Sequence, residues 1–183
     1  MFGRSTYIVG FVVCVSVLAA TLAPAVAEAE TSIRQPFSGD RRPFQLDIHA
    51  GFSNFGLGLA TGARFGIPIV QNGFVRSINN AVYINFGADF YFVRHGHEAY
   101  YPALGIPVAL HWEFYFTDRW TAFAELGVNI YLDSHLFRGD GWYWSPGHWV
   151  LGAVGGRFRI NDLIALTLRL GNPYSAFGVT FTF

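Results

Sequence analysis

Apolar and polar residues alternate one by one along eight segments of this chain. Successive side chains of a β-strand point to opposite faces, so a period of two predicts a strand with one apolar and one polar face. The sequence therefore predicts an all-β domain over residues 44–183. The eight segments span residues 44–53, 57–69, 81–92, 104–116, 120–132, 148–160, 164–170 and 177–183.

The chain is unusually apolar for a small domain, with 52% hydrophobic and 13% charged residues. Typical soluble domains carry about 25% charged residues. After residue 30 no apolar run approaches the roughly 20 residues that a membrane-spanning helix requires. The apolar residues must therefore be accommodated by strands, and a closed up-and-down antiparallel barrel of eight strands is the predicted fold.

Alternation alone does not say which face of the barrel points inward. The interior of an eight-stranded barrel is only just wide enough for side chains to fill it, so the many large apolar residues do not fit there. Small residues dominate the opposite face, and they suit a narrow interior. We therefore expect the apolar face to point outward, as in a transmembrane barrel. These small residues lie at positions 51, 53, 58, 60, 62, 66, 87, 105, 109, 127, 153, 155, 165 and 178.

The predicted inner face also carries acidic and basic residues in equal number. We expect them to form a neutral, ion-paired plug rather than a water-filled pore, although some could lie solvated at the mouths. His49 and His111 fall among them, as hydrogen-bonded residues or as a pH-sensitive element, because histidine titrates near neutral pH. The eight charged residues are Asp47, Arg64, Asp89, Glu113, Glu125, Arg157, Arg159 and Arg169.

The first 27 residues have the pattern of a secretory signal peptide. Arg4 precedes an apolar run from Tyr7 to Ala20, and Ala25-Val26-Ala27 forms a small-x-small cleavage site. Such a leader is removed on export, so we expect cleavage after Ala27; the alternative is an uncleaved anchor helix. Residues 28–43 are polar and aperiodic, and they predict a flexible segment before the barrel.

The links between strands differ in length. Residues 117–119 and 161–162 are tight turns, whereas 93–103 and 133–147 are long. Bacterial barrels have short periplasmic turns and longer outer loops, which predicts the orientation of the chain. Residues 70–80 are long for a periplasmic turn, and the links near 54–56 and 172–174 are short for outer loops.

Together these features make the chain resemble the small eight-stranded outer-membrane β-barrels, a group that includes the transmembrane domain of outer membrane protein A and its OmpX-like relatives. The resemblance covers residues 44–183, and it does not imply a cell-wall anchoring role. In that family a final aromatic residue, with apolar residues at every second position before it, is read by the outer-membrane assembly machinery. The resemblance implies this signal, together with periplasmic chaperones and outer-membrane lipid as partners. The matching residues are Phe177, Val179, Phe181 and Phe183.

Two outer-loop motifs invite a chemical interpretation. His95, His97 and Glu98 are residue types that bind divalent metals, but a pair of histidines on a loop is weak support. Asp133-Ser134-His135 contains the residues of an acyl-transfer triad, yet a triad depends on geometry rather than adjacency. We therefore predict no cofactor, no metal and no enzymatic activity; a lipid A acyltransferase or deacylase is the less favoured alternative.

Aromatic residues are concentrated in the predicted outer loops. Tryptophan and tyrosine gather at membrane interfaces, and they are also enriched in protein contact surfaces. The predicted role is structural or adhesive, with the loops contacting an extracellular protein or glycan; a narrow, porin-like channel is the main alternative. The zero net charge argues against nucleic acid as a partner. The loop candidates are Tyr100, Tyr101, Trp142, Tyr143 and Trp144.

Overall fold

The chain forms a closed barrel of eight antiparallel strands in a computed structural model that describes residues 33–39, 41–54, 58–93, 101–133 and 149–183. Each strand pairs with its neighbours in chain order, and β8 pairs with β1 to close the ring. The predicted all-β, up-and-down barrel is therefore confirmed. The strands are β1 Gln45–Ser53, β2 Gly58–Val70, β3 Asn80–Val93, β4 Tyr101–Tyr115, β5 Trp120–Asp133, β6 Val150–Arg159, β7 Ile164–Asn172 and β8 Tyr174–Thr182.

The predicted signal peptide, residues 1–27, lies outside the described residues. Over the described part of the chain, no helix is both long enough and apolar enough to cross a membrane.

The links define two different ends of the barrel. The short-turn end carries residues 71–79, 116–119 and 160–163, and the long-loop end carries 54–57, 94–100, 134–149 and Pro173. At the short-turn end the backbone amides of Phe44 and Phe183 each donate to the other residue's carbonyl, at 2.9 and 3.1 Å. The 160–163 turn is capped by Asn161, whose side-chain oxygen accepts from two backbone amides.

The two faces of the barrel are inverted relative to a water-soluble protein. Phe86, Leu110 and Leu168 lie on the outer face and are 41%, 50% and 49% exposed. Arg64 and Glu113 lie inside and are 2% and 1% exposed. The predicted orientation of the apolar face is confirmed, because the large apolar side chains point outward from the ring and the charges point into it.

Glycines on the inner face make room for large neighbouring side chains. A Cβ at Gly155 would lie 2.2 Å from the ring of Phe123, which points into the barrel from β5. A Cβ at Gly105 would lie 2.7 Å from the ring of Tyr91. These distances are far below normal van der Waals contact, so the interior is filled by large residues of one strand lying over glycines of the next.

The long β2–β3 link is held in a fixed conformation by Asn80. Its side-chain amide donates to three link carbonyls, those of Asn72, Val75 and Ile78, and its oxygen accepts from the indole of Trp112 at 2.8 Å. Gly73 has a φ of +53°, and a Cβ there would collide with the Asn80 side chain. The link is therefore an ordered part of the short-turn end.

The described residues of the N-terminal segment pack on this link, and the flexibility predicted for residues 28–43 stays a prediction. The backbone carbonyls of Ile33 and Phe37 accept from Asn79 and Asn72 at 2.7 and 3.1 Å. These contacts are long-range, so the aperiodic sequence of the segment gives no sign of them. Residues 28–32 and Asp40 lie outside the described residues.

Arg42 fixes the end of the same segment to the barrel. Its guanidinium lies between the rings of Phe37 and Tyr115, 3.9 and 4.1 Å from their centroids. It also donates to the side chain of Asn79 at 2.6 Å and to the carbonyl of Gln71 at 3.2 Å. Guanidinium–aromatic contacts of this kind contribute most when they are shielded from water, and Arg42 is buried.

The last two strands extend further than the alternation predicts. The sequence indicates a link near residues 172–174, whereas only Pro173 separates β7 from β8. Tyr174 is consequently the first residue of β8, and its side chain is buried inside the barrel. Asn172 and Pro173 are residues typical of turns. The sequence therefore does not show that the alternation of inward and outward side chains continues through Tyr174.

Candidate functional site

The centre of the barrel holds a carboxylate between two guanidiniums. Glu125 on β5 accepts from Arg64 on β2 at 3.1 Å and from Nε of Arg169 on β7 at 3.0 Å. Its second oxygen accepts from His111 at 2.9 Å and from Nη2 of Arg169 at 3.2 Å. The two arginines approach from different walls of the ring, so the Glu125 carboxylate connects strands that share no backbone ladder.

A second group of contacts surrounds His49. Its Nδ1 lies 2.8 Å from Asp47, and its Nε2 lies 3.1 Å from Asp89 and 2.6 Å from the hydroxyl of Tyr174. Asp47 also accepts from Arg169 at 3.1 Å, and Asp89 accepts from Arg64 at 3.1 Å. The two groups are therefore one connected network, which we call the central network.

The contacts of His49 accommodate both forms of its imidazole. A neutral ring can donate from Nδ1 to Asp47 and accept from the Tyr174 hydroxyl at Nε2, whereas the imidazolium donates to both Asp47 and Asp89. Three arginines face four carboxylates inside the barrel, and His49 and His111 each contact two of those carboxylates.

A third group lies nearer the short-turn end, around Glu113 on β4. Its Oε1 accepts from Arg157 at 2.7 Å and from Thr121 at 2.9 Å. Its Oε2 accepts from Gln45 at 2.8 Å and from the hydroxyl of Tyr115 at 3.2 Å. His111 joins this group to the central network, since its Nε2 lies 3.8 Å from Glu113.

Aromatic side chains close the barrel toward the long-loop end. The ring of Tyr91 lies 5.9 Å from that of Tyr174 and 5.5 Å from that of Tyr131. Small residues complete this tyrosine cluster, which comprises Ala60, Tyr91, Ala103, Tyr131, Tyr174 and Ala176. This cluster and the two charged groups are the main side-chain clusters of the described barrel interior.

Seven of the eight charged residues predicted for the lumen form ion pairs there. They are Asp47, Arg64, Asp89, Glu113, Glu125, Arg157 and Arg169. Arg159 does not join them: it is half-buried at the end of β6 and makes no ion pair with a described residue. Arg159 lies two residues after Arg157 on β6, so it is on the same inner face but closer to the short-turn end of the barrel.

The predicted C-terminal signal residues lie on the outer face of β8. Phe177 and Phe183 are exposed, and Val179 and Phe181 are half-exposed. All four alternate with the inward residues of the strand that closes the barrel against β1. Their role as an assembly signal stays a prediction.

Most of the predicted loop residues lie outside the described residues. This holds for Tyr100, Trp142, Tyr143 and Trp144, for the metal candidates His95, His97 and Glu98, and for Ser134 and His135. Tyr101 and Asp133 belong to the ends of β4 and β5 by their backbone. In the described ranges, no group of three or more histidine, cysteine or carboxylate side chains is arranged to hold a metal ion.

Sequence reasoning missed several uncharged members of the lumen. Tyr174 accepts from Arg64 at 2.7 Å, and the ring of Phe123 lies 5.7 Å from the guanidiniums of both Arg157 and Arg169. The signal was present for Phe123, because it shares the inward parity of Glu125. The rule that apolar residues point outward does not predict a phenylalanine on the polar face, so this position does not stand out in the sequence.

Neither a scan against protein-family models nor a search of curated protein sequences found a match. The class of protein is therefore defined by its fold and its lumen. It is a closed eight-stranded β-barrel whose interior is ion-paired and whose exterior is apolar.

Replacing Arg169 by methionine tests the central network. The Arg169→Met substitution leaves the buried carboxylates of Asp47 and Glu125 without a shared cation, and breaking a buried ion pair costs about 3–5 kcal/mol. We expect the free energy of unfolding, measured by urea titration with circular dichroism, to fall by about that amount. The matched control is Arg159→Met, which removes the same charge from the same face without breaking an ion pair. Equal stability of the two variants would contradict a network centred on Arg169.

Proposed function

We propose that this protein is an integral outer-membrane β-barrel of the small eight-stranded family, with a closed lumen and a structural role in the envelope. The observation that carries the proposal is the outer face of the barrel, where large apolar side chains are exposed on every strand. Soluble monomers rarely expose contiguous apolar patches larger than a few hundred Å². A hydrocarbon environment removes the cost of this exposure.

The backbone supports the same conclusion. Inside a bilayer every backbone amide and carbonyl needs a protein partner, and a ring of strands without an open edge meets that need. The closed ladder from β1 to β8 provides it. The strands are 9 to 15 residues long, enough for the roughly 9–11 residues of a tilted membrane strand.

A ring of aromatic residues at the short-turn end fits a membrane interface. Phe44, Phe116, Trp120 and Phe183 are all exposed at this end. Aromatic girdles flank the apolar band of outer-membrane barrels at both interfaces. With short turns on the periplasmic side, this ring would lie at the inner leaflet, and the long-loop end would face outward.

The lumen favours a structural role over transport. The central network, the Glu113 group and the tyrosine cluster occupy successive levels of the barrel. We propose that these side chains, which are held by several ion pairs and hydrogen bonds, close the lumen to solutes. The protein then acts through its outer surface and its outer loops, whose aromatic residues are proposed to contact an extracellular protein or glycan.

A charge placed on the outer face distinguishes lipid from water around the barrel. Leu110 lies in the central third of β4 and is half-exposed. In a bilayer, Leu110→Arg should lower the free energy of unfolding by about 2–4 kcal/mol, because arginine near the midplane is costly. In water an exposed substitution changes it by about 0.5 kcal/mol or less.

The control for this experiment is Leu163→Arg, which places the same charge at an exposed position in the 160–163 turn. Near a membrane interface its cost is about 0–1 kcal/mol. Both variants are measured by denaturant titration in lipid vesicles. Equal, negligible effects of Leu110→Arg and Leu163→Arg would rule out an outer face embedded in lipid.

Cell fractionation tests the proposed compartment. We expect the mature chain, without residues 1–27, in the outer-membrane fraction. Unboiled and boiled samples should migrate differently on an SDS gel, because a closed barrel stays folded in the detergent until it is heated. A periplasmic protein whose mobility does not depend on boiling would refute the proposal.

Planar-bilayer recording tests the closed lumen. With purified protein in the bilayer and potassium chloride on both sides, we expect almost no steady current above the lipid background, because the ion-paired side chains fill the lumen. The protein is delivered by fusing lipid vesicles with the bilayer, and its folded state is verified by the heat-modifiability of protein recovered from those vesicles. A stable conductance proportional to voltage would instead identify the protein as a narrow channel.

A further inference from the structure

A concave space of about 350 Å³ opens at the short-turn end of the barrel. Glu113 and Arg157 contribute to its inner part, Arg119 and Arg159 line it at the turns, and Arg42 belongs to the wall formed by the N-terminal segment. We call this space the vestibule. Small-molecule sites span about 300–1,000 Å³, so the vestibule has room for a small solute.

Unused hydrogen-bond donors point to the kind of solute. Arg157 donates from Nε to Thr167 and from Nη1 to Glu113, and its Nη2 makes no hydrogen bond with a described residue. Arg159 donates through its backbone to the carbonyl of Arg119 at 2.8 Å, while its guanidinium has no hydrogen bond or ion pair with any described side chain. Guanidinium donors without protein acceptors therefore line the vestibule.

Glu113 pairs with Arg157 and has no acceptor site left for the guanidinium of Arg159. A carboxylate has about four sites for accepting hydrogen bonds. Those of Glu113 are occupied by Arg157, Thr121, Gln45 and Tyr115, at 2.7 to 3.2 Å. The charge of Arg159 is thus left for another acceptor.

The remaining acidic residues lie on the turns. Asp118 and Asp162 are exposed, and neither forms an ion pair with Arg119 or Arg159 within the described part of the chain. Exposed charges are screened by water and salt. The lining side chains comprise four arginines, Arg42, Arg119, Arg157 and Arg159, and three carboxylates, so their net formal charge is positive.

We infer that the vestibule binds a small soluble anion through a phosphate group. Guanidinium groups recognise phosphate with paired hydrogen bonds, and a phosphate ester offers three strong acceptor oxygens. A carboxylate has only two oxygens, so it offers fewer acceptors to guanidinium groups that lie on separate turns and strands. The inference does not depend on the proposed function, because the vestibule lies at the mouth of the lumen and not on the outer face.

The test uses the refolded chain in non-ionic detergent micelles, titrated with inorganic phosphate and followed by phosphorus-31 NMR line broadening. We expect saturable broadening that weakens as sodium chloride is raised. In Arg159→Met the affinity should fall by about tenfold or more, the loss expected for a hydrogen bond to a charged group. Arg119→Met, at the exposed rim, should weaken binding less and serves as a second variant.

The matched control is Arg76→Met, which removes an exposed arginine from the 71–79 link outside the vestibule. Its phosphate affinity should equal that of the native chain. Non-saturable broadening in the native chain, or equal losses in Arg76→Met and Arg159→Met, would overturn the site. Displacement of phosphate by phosphatidic acid added to the micelles would overturn the assignment to a soluble solute.

Discussion

The contact on which the barrel interior depends is the Glu125 carboxylate held between Arg64 and Arg169. Each backbone ladder joins only neighbouring strands, so the ladders alone do not fix the distance across the ring. The ion pairs connect β2, β5 and β7 through the centre. A buried ion pair is not by itself strongly stabilising, because desolvation offsets the attraction. Its contribution here is geometric, since the charges find partners only when the opposite walls are correctly placed.

This interior takes the place of an apolar core. In a water-soluble domain the large apolar residues pack together and exclude water. Here the ring is too narrow for most of them, and seven charged side chains of the lumen are joined to one another by ion pairs. Uncharged side chains add hydrogen bonds to the network, as Tyr174 does for Arg64 and His49. A narrow barrel with an apolar exterior is therefore consistent with charged side chains inside and large apolar side chains outside.

The strands and their two faces followed from local information. Alternation is a property of neighbouring residues, and it assigned Arg64 and Glu113 to the interior and Phe86 to the exterior correctly. The partners within the ion pairs of the lumen could not be predicted in this way, because they depend on the position of each residue along the barrel axis. Arg159 shows this limit: its face was predicted correctly, but its height in the barrel leaves it beyond the reach of the carboxylates.

Non-local contacts also explain why the docking of the N-terminal segment could not be predicted from the sequence. Nothing in the sequence of residues 33–43 repeats or alternates, and its structure comes from the β2–β3 link on which it lies. That link is long for a periplasmic turn, and the sequence alone does not show that the N-terminal segment packs on it. The length of residues 71–79 is explained once Gln71, Asn72 and Asn79 are seen to hold the segment.

The docked segment has a mechanical consequence for the short-turn end. The eight strands of the barrel cannot move apart without breaking ladder hydrogen bonds, but this segment lies outside the ring. Its attachment includes the Arg42 contacts, the Asn72 side chain and the Asn79 backbone hydrogen bond. Displacing the segment therefore breaks side-chain contacts and single hydrogen bonds, and it leaves every ladder of the sheet intact.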